Sequence, residues 1–293
     1  MIEVLGDIRG WGPGVAEPVR ITSPNQRIVL AVLVARHPDV VSVHDLVAAV
    51  WEDEPPASAA RTVGSYVSRL RNVMGDAIAI VPGGYRLVLD DDLIDIRRYE
   101  QLVRAARTAR GTDAIARYRD ADRLWRGAPF AELTDAAAVT SEVVRLETVR
   151  LDAQDRLAAE LLASGAVADA AATAAATVAE HPLRESAWIT LIDAQAVSSP
   201  GDALRAARRT AEALAEAGLV PSDALAAAEQ RALTGGSVGR PSRRVERRPL
   251  PGTATPLIGR DASSTEVDAA LARSGGVVTL VGPGGVGKTR IAI

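Results

Sequence analysis

The sequence predicts a mainly α-helical protein in which a small α+β domain precedes an all-helical domain. Residues 1–94 mix alternating apolar segments with amphipathic helices, whereas from residue 95 to about residue 234 only helical patterns occur. With 293 residues, of which 47% are hydrophobic, the chain can bury more than one core. We therefore expect an α+β domain at 1–94, a helical domain at 95–234, a flexible linker at 235–256 and the start of a further domain at 257–293.

The first domain opens with strand patterns and a well-marked helix. Residues 2–9 alternate loosely and predict one strand, and Val15–Ile21 predicts another. Ser23 and Pro24 then form a helix start, with serine as the N-cap and proline at the first helical position. This helix is expected to run to about His37, because the following proline disfavours helical backbone there.

Two more helices and a hairpin complete the first domain. Ser42 is expected to cap the helix VHDLVAAVW, and the acidic turn at 52–56 separates it from a third helix at about 57–74. Apolar segments then flank Pro82-Gly83-Gly84, which predicts a β-hairpin from Ile78–Val81 and Tyr85–Leu89. The predicted order is strands, three helices and a hairpin.

The third helix has two chemically distinct faces. Val63, Val67, Leu70 and Met74 follow helical spacing and predict a buried stripe. The opposite face carries basic and hydrogen-bonding side chains, namely Arg61, Ser65, Ser68, Arg69 and Asn72, with Thr62 at its edge and Arg71 beside the stripe. No acidic residue occurs between residues 59 and 73, so the helix has a local positive potential within an otherwise acidic domain.

The exposed face of the third helix carries side chains of the chemical types that read the major groove of DNA. Arginine pairs with guanine and asparagine with adenine, while hydroxyl groups reach phosphate oxygens. Together with the hairpin, the helix predicts a winged helix-turn-helix in which Arg86 of the wing reaches the adjacent backbone or minor groove. The alternative is an ordinary solvated helix face, and the order of helix, turn, helix and wing argues against it.

The second domain reads as helices throughout. Gly and Pro residues separate the candidate helices, which are 96–110, 113–126, 135–164, 167–181, 184–198, 202–217 and 222–234. Similar segments recur at a spacing of about 36 residues, close to the helix-pair period of tetratricopeptide repeats. A tetratricopeptide-like repeat domain is therefore expected, and a generic helical bundle is the alternative, because alanine-rich helices resemble one another.

Composition excludes several classes of protein. The chain has no cysteine, so disulfides and thiolate metal sites are excluded, and its three histidines lack metal-ligand spacing. We expect each histidine to be a surface or capping residue. No apolar segment is long enough to cross a membrane and no secretory signal opens the chain, so a cytoplasmic location without a membrane partner is expected. The net charge of -3 does not by itself indicate a nucleic-acid partner.

The C-terminal residues contain a phosphate-binding motif. Gly282 to Thr289 match the P-loop pattern and follow the apolar segment VVTLV. Backbone amides of the glycine loop would bind phosphates, Lys288 would reach the β- and γ-phosphates, and Thr289 would ligate Mg²⁺. The candidate nucleotide-binding residues are Gly282, Gly285, Gly287, Lys288 and Thr289.

Several segments resemble one family of regulators. TVGSYVSRLRNVMG and IVPGGYRL resemble the recognition helix and wing of the OmpR-type winged-helix domain, in the form found in the Streptomyces antibiotic regulatory protein family. Downstream, YEQLVRAAR, LWRGAPFAEL and HPLRESAWITLIDA resemble the bacterial transcriptional activation domain of that family. The resemblance covers about residues 1–235.

The resemblance implies a transcriptional activator of a biosynthetic gene cluster. It implies binding to promoter direct repeats as tandem protomers, self-association on the DNA and contact with RNA polymerase holoenzyme. The DNA contacts carried over to this sequence are Arg61, Thr62, Ser65, Tyr66, Ser68, Arg69 and Arg71, with the wing at Gly83, Gly84 and Arg86. No catalytic or metal-binding residue is expected, and the protein is not expected to be an enzyme.

The segment PLIGRD resembles the start of the nucleotide-binding domain in signal-transduction ATPases with numerous domains. The sequence ends before a Walker B acid or further sheet strands could follow, so we expect it to be the first part of a longer regulator. ATP and Mg²⁺ are expected as cofactors only in that longer protein. A P-loop ATPase regulator is the alternative function, and a repeat scaffold that binds only protein partners is a third.

Overall fold

The computed structural model describes residues 1–12, 14–133, 136–234, 265–268 and 279. The chain divides into two units, Met1–Val238 and Gly239–Ile293. In the second unit, residues 265–268 are helical. Apart from residues 265–268 and 279, all residues after Thr234 lie outside the described residues.

The N-terminal residues form a small hairpin. β1 (Ile2–Glu3) pairs antiparallel with β2 (Arg9–Gly10), and the chain reverses at Gly6, whose φ of 139° favours glycine. The prediction of a single strand over residues 2–9 is therefore wrong. The expected strand over 15–21 is also wrong: these residues make only an isolated bridge from Val19 to Gly10, and Val15 is exposed.

The first two helices follow the predicted signals. α1 (Pro24–Ala35) has proline in its first turn and buries every residue from Val29 to Val34. β3 (Val41–Ser42) leads into α2 (Val43–Trp51), and the Ser42 hydroxyl accepts a hydrogen bond from the Asp45 amide at 3.0 Å. Both predicted helix starts are confirmed.

The third helix and the hairpin are also where they were predicted. α3 (Ala59–Met74) is followed by a 3₁₀ turn at Gly75–Ala77, by β4 (Ile78–Val81) and by β5 (Gly84–Leu87). β5 lies between β3 and β4 in an antiparallel three-stranded sheet. The sheet holds the start of α2 and the hairpin side by side.

The helical region consists of seven helices within the described part of the chain, and each overlaps a predicted one. They are α4 (Asp95–Thr108), α5 (Gly111–Asp122), α6 (Ala137–Ala163), α7 (Val167–Glu180), α8 (Glu185–Ser198), α9 (Pro200–Glu216) and α10 (Asp223–Leu233). Each helix from α4 to α10 packs against the next, and α10 also packs against α8. Consecutive packing of this kind is typical of helical repeats.

The hydrophobic core continues from the N-terminal region into the helical region. One cluster of buried side chains includes Leu5 and Leu30 from the first region together with Tyr99, Phe130 and Leu146 from the second. A second cluster lies among the last helices and includes Trp188, Leu214 and Leu225. The first helices of the helical region therefore share their core with α1, α2, α3 and the three-stranded sheet.

His37 has a different environment from the one expected. Its side chain is 7% exposed, with Nδ1 3.2 Å from the Leu87 carbonyl oxygen and Nε2 3.2 Å from the Asp91 carboxylate. The prediction of a surface or capping residue is wrong here, because α1 ends where β5 and the start of α4 converge.

Candidate nucleic-acid interface

α3 buries the stripe that its sequence predicts. Val63, Val67, Leu70 and Met74 are at most 2% exposed, and Ala59 extends the same stripe toward the N-terminus of the helix. These side chains pack into the core beneath α1 and α2. Since the stripe fixes the rotation of α3 about its axis, the opposite face must point to solvent.

The opposite face of α3 presents cations and hydrogen-bonding groups to solvent. Its exposed residues are Arg61, Ser65, Ser68, Arg69 and Asn72. Neither Arg61 nor Arg69 forms an ion pair with any described residue. Their guanidinium groups therefore need not give up a carboxylate partner to bind a phosphate or a base edge.

The hydroxyl groups near the start of α3 bond to the helix itself. Thr62 Oγ1 donates to the Ser58 carbonyl oxygen at 3.1 Å, and Ser65 Oγ donates to the Arg61 carbonyl oxygen at 3.2 Å. These bonds use the hydroxyl protons and leave oxygen lone pairs available. In this geometry Thr62 and Ser65 can accept hydrogen bonds, for example from the amino groups of adenine or cytosine.

Two of the predicted contact residues have partners inside the protein. Tyr66 is half-buried, stacks on Trp51 of α2 with ring centroids 6.3 Å apart, and accepts a hydrogen bond from Asn25 Nδ2 at 3.1 Å. Arg71 is also half-buried and lies 3.6 Å from the Asp76 carboxylate. Tyr66 thus links α3 to α1 and α2, and its role as a DNA contact stays a prediction, as does that of Arg71.

The hairpin glycines have different environments. Gly83 is exposed, with φ of 92° and no described atom within 4 Å of an added Cβ, whereas Gly84 is buried against β3. A Cβ on Gly84 would lie 2.0 Å from the Val41 carbonyl oxygen, so only glycine permits this approach of β5 to β3. Arg86 is exposed and forms no ion pair with a described residue.

Tyr85 forms a contact between the hairpin and α3 that the sequence argument missed. Side chains alternate along β5, so Tyr85 and Arg86 lie on opposite faces of the hairpin. The Tyr85 hydroxyl lies 3.7 Å from the position that a Cβ on Gly64 would occupy, which puts it beside the backbone of α3. A glycine inside an amphipathic helix was the available sequence signal for such a close approach.

Family comparisons match the two regions separately. The family model described as the C-terminal domain of transcriptional regulatory proteins matches residues 17–87. The model of the bacterial transcriptional activator domain matches residues 94–233.

Individual relatives extend this similarity over most of the chain. The transcriptional regulatory protein EmbR of Mycobacterium tuberculosis is 34% identical over 229 residues, which are 74% of this chain and 59% of EmbR. A solved structure of EmbR in complex with a low affinity phosphopeptide has a TM-score of 0.74 and 30% identity, covering 92% of this chain and 69% of that one.

The chain belongs to the Streptomyces antibiotic regulatory protein family.

Two further relatives in this family are regulators from Streptomyces. The regulatory protein AfsR of Streptomyces coelicolor is 31% identical over 323 residues, covering 99% of this chain but only 32% of AfsR. The regulatory protein DnrI of Streptomyces peucetius is 29% identical over 203 residues, covering 64% of this chain and 74% of DnrI. The chain thus spans about three fifths of EmbR and about a third of AfsR.

Other candidate sites add little to this picture. Gly282, Gly285, Gly287, Lys288 and Thr289 lie outside the described residues, and nucleotide binding there stays a prediction for a longer protein. The described residues contain no group of three or more His, Cys, Asp or Glu side chains able to hold a metal ion. None of the helices in the described part of the chain is both long enough and apolar enough to span a membrane.

Proposed function

We propose that this member of the Streptomyces antibiotic regulatory protein family binds specific promoter DNA through α3 and the β4–β5 hairpin. The observation that carries the proposal is the exposed face of α3, where Arg61 and Arg69 have no ion-pair partner among the described residues. Arginine in this state suits bidentate recognition of guanine in the major groove. Arg86 of the hairpin would contact the adjacent DNA backbone.

The acidic charge of the whole chain does not oppose this function. The net charge is -3, but several carboxylates of the N-terminal region lie in turns, such as residues 52–54 and 90–92, and none lies on α3. At physiological ionic strength, fields from exposed charges fall off over about 8 Å. The potential felt by a DNA groove is therefore set by α3 and the hairpin.

The family supports a more detailed proposal about the partners. We propose that the protein activates a biosynthetic gene cluster by binding direct repeats as tandem protomers and by contacting RNA polymerase holoenzyme. It would act in the cytoplasm by binding rather than by catalysis. The similarity to EmbR and AfsR supports this assignment, and no feature of the described residues favours the alternative of an ATPase.

The decisive experiment is a salt-dependent gel shift on DNA from upstream of the gene itself. Arg69→Ala should weaken specific binding by about 1–3 kcal/mol, because one base contact is lost, while folding is unchanged. Arg208→Ala is the matched control, since Arg208 is an exposed arginine of α9 without an ion-pair partner among the described residues. Equal binding of wild-type protein to promoter and scrambled DNA would refute the proposal.

Detection of RNA polymerase contact needs a separate assay. The promoter is footprinted with each protein alone and with both together. Each protein should increase the stretch of DNA that the other protects from cleavage. If protection by the two proteins were independent, the activator mechanism would be wrong even though specific DNA binding would stand.

A further inference from the structure

One loop of the helical region completes the fold of the N-terminal region. This junction loop, residues 123–131, connects α5 to the 3₁₀ turn at Ala131–Leu133. Its backbone amides donate hydrogen bonds to the N-terminal segment: Arg126 to the Leu5 oxygen at 2.8 Å, Phe130 to Val4 at 2.7 Å and Ala131 to Gly6 at 3.2 Å. The loop thus satisfies backbone groups that a neighbouring strand would otherwise bind.

Arg126 is the charged centre of this contact. Its guanidinium group lies 3.3 Å from the Glu3 carboxylate and 3.1 Å from the Asp95 carboxylate, and it also donates to the Asp7 carbonyl oxygen at 3.4 Å. The side chain is 25% exposed, so solvent screens these contacts only in part. One arginine therefore joins the junction loop, the N-terminal segment and the start of α4.

Asp95 receives hydrogen bonds from both regions. The residue is 6% exposed, and its Oδ2 accepts from the amides of Val4 and Leu5 at 2.8 Å each, as well as from Arg126. Burial raises the pKa of this carboxyl to about 6, although the two amides and the guanidinium group act in the opposite direction. At neutral pH the carboxylate is ionised and accepts all three hydrogen bonds.

The residue before Arg126 is anchored in the helical region. The Trp125 ring packs edge-to-face against Tyr99 of α4 at 5.4 Å, and the Arg150 guanidinium group of α6 lies over it at 4.5 Å. Trp125 packs against the helical region, whereas the adjacent Arg126 also contacts the N-terminal segment. The junction loop is thus held from both sides.

The N-terminal segment, which binds the junction loop, also contacts α3. A Cβ on Gly12, just after β2, would lie 2.5 Å from the Val73 carbonyl oxygen, and one on Gly10 of β2 would contact the Met74 side chain. The N-terminal hairpin therefore packs directly against the last turn of α3. Arg126 contacts the N-terminal hairpin, and the hairpin in turn contacts the helix proposed to read DNA.

We propose that Arg126 is a positioning residue, which holds α3 at one fixed angle to the helical region. This inference rests on the proposed function, because a fixed angle determines which spacing of half-sites tandem protomers can occupy together. A charged network with several simultaneous partners favours one arrangement over its neighbours, since any displacement breaks more than one hydrogen bond.

The angle can be measured directly by double electron–electron resonance. The chain has no cysteine, so spin labels can be placed at Asp53→Cys and Glu216→Cys, two exposed positions in the two regions. The otherwise unchanged protein should give one narrow distance distribution, and Arg126→Ala should at least double its width. Arg123→Ala is the control, because Arg123 lies in the same loop but pairs only with Asp120 of the preceding helix among the described residues.

A binding assay tests the consequence for DNA. Two half-sites are separated in steps of one base pair and compared with an isolated half-site. Arg126→Ala should bind the isolated half-site within about twofold of wild type, because the α3 surface is intact, but should lose the preference for one spacing. Arg126→Lys should lie between the two, since a single ammonium cannot bind three acceptors in the geometry of a guanidinium fork.

The outcomes separate the two proposals. A narrow distance distribution and an unchanged spacing preference in Arg126→Ala would overturn the positioning role and leave DNA binding in place. If wild-type protein bound no DNA specifically, the proposed function would fail, and the distance measurement alone would decide the inference. Should Arg126→Ala fail to fold, Gly6→Ala replaces it, because its Cβ would lie 3.1 Å from Arg126 Cβ and displace the loop.

Discussion

Arginine has different surroundings in the two regions of the molecule. In the N-terminal region most arginines are without an ion-pair partner among the described residues, and these are Arg9, Arg20, Arg36, Arg61, Arg69 and Arg86. In the helical region most are paired with carboxylates, for example Arg145 with Glu100 and Glu142, and Arg231 with Asp193. The same residue type thus stabilises one region and remains available for a partner in the other. Net charge alone does not reveal this difference.

Two glycines, one in each region, should differ most in the stability that is lost when each is replaced by alanine. Gly84→Ala should lower the free energy of unfolding by about 3 kcal/mol, because its Cβ would overlap the Val41 carbonyl oxygen and separate β3 from β5. Gly165→Ala in the helical region is the control: its φ is 87°, but no described atom lies within 4 Å of the added Cβ, so the cost should be about 1 kcal/mol. Urea denaturation measures both. Equal costs would show that close strand approach is not what requires Gly84.

Removal of a paired arginine should affect stability and leave DNA binding unchanged. The Arg184 guanidinium group donates to Asp155 at 2.8 Å and to Asp152 at 2.7 Å, and its side chain is 23% exposed. Arg184→Ala should cost about 2 kcal/mol of stability, since it leaves the mostly buried Asp155 carboxylate without its cation. Arg69→Ala, by contrast, should change stability by less than about 0.5 kcal/mol. Thermal unfolding and gel shifts are measured on both variants. A loss of DNA affinity in Arg184→Ala would contradict the prediction that this arginine affects stability alone.

The junction between the regions should respond to pH with a smaller effect. The groups that face Asp95 are the Arg126 guanidinium and the amides of Val4 and Leu5, and burial raises the pKa of its carboxyl to about 6. Between pH 4 and 6 the folded state then holds a proton that the unfolded state has lost, so this group stabilises the fold more as the pH falls. From pH 7 to pH 5, wild type should gain about 1 kcal/mol relative to Asp95→Asn. Urea denaturation at both pH values measures this difference, and parallel pH profiles would refute the raised pKa.

Local sequence patterns predicted most of the elements that position the candidate interface. The helical spacing of Val63, Val67, Leu70 and Met74 identified the buried face of α3, and therefore also the exposed one. Ser42 marked the start of α2, and the Pro-Gly-Gly turn marked the hairpin. Each of these signals depends on residues within a few positions of one another, which is why a sequence alone contains them.

Features that depend on distant residues could not be predicted in this way. The strand expected at 2–9 is interrupted because its backbone bonds to the junction loop, more than 100 residues later in the chain. His37 is buried by β5 and the start of α4, and Tyr66 points toward Trp51 and Asn25 rather than only to solvent. Tyr85 approaches α3 through the sheet register. Periodicity contains no information about such pairings.

The hydrogen bonds between the N-terminal segment and the junction loop have a consequence for protein engineering. The part of this chain proposed to read DNA does not end as a separable segment near residue 94, since residues 126–131 supply part of its edge. A chimera that takes its operator preference from a relative must graft that later segment together with the first residues. Otherwise the transplanted part would lack the backbone partners and the countercharges with which its own helical region provides it.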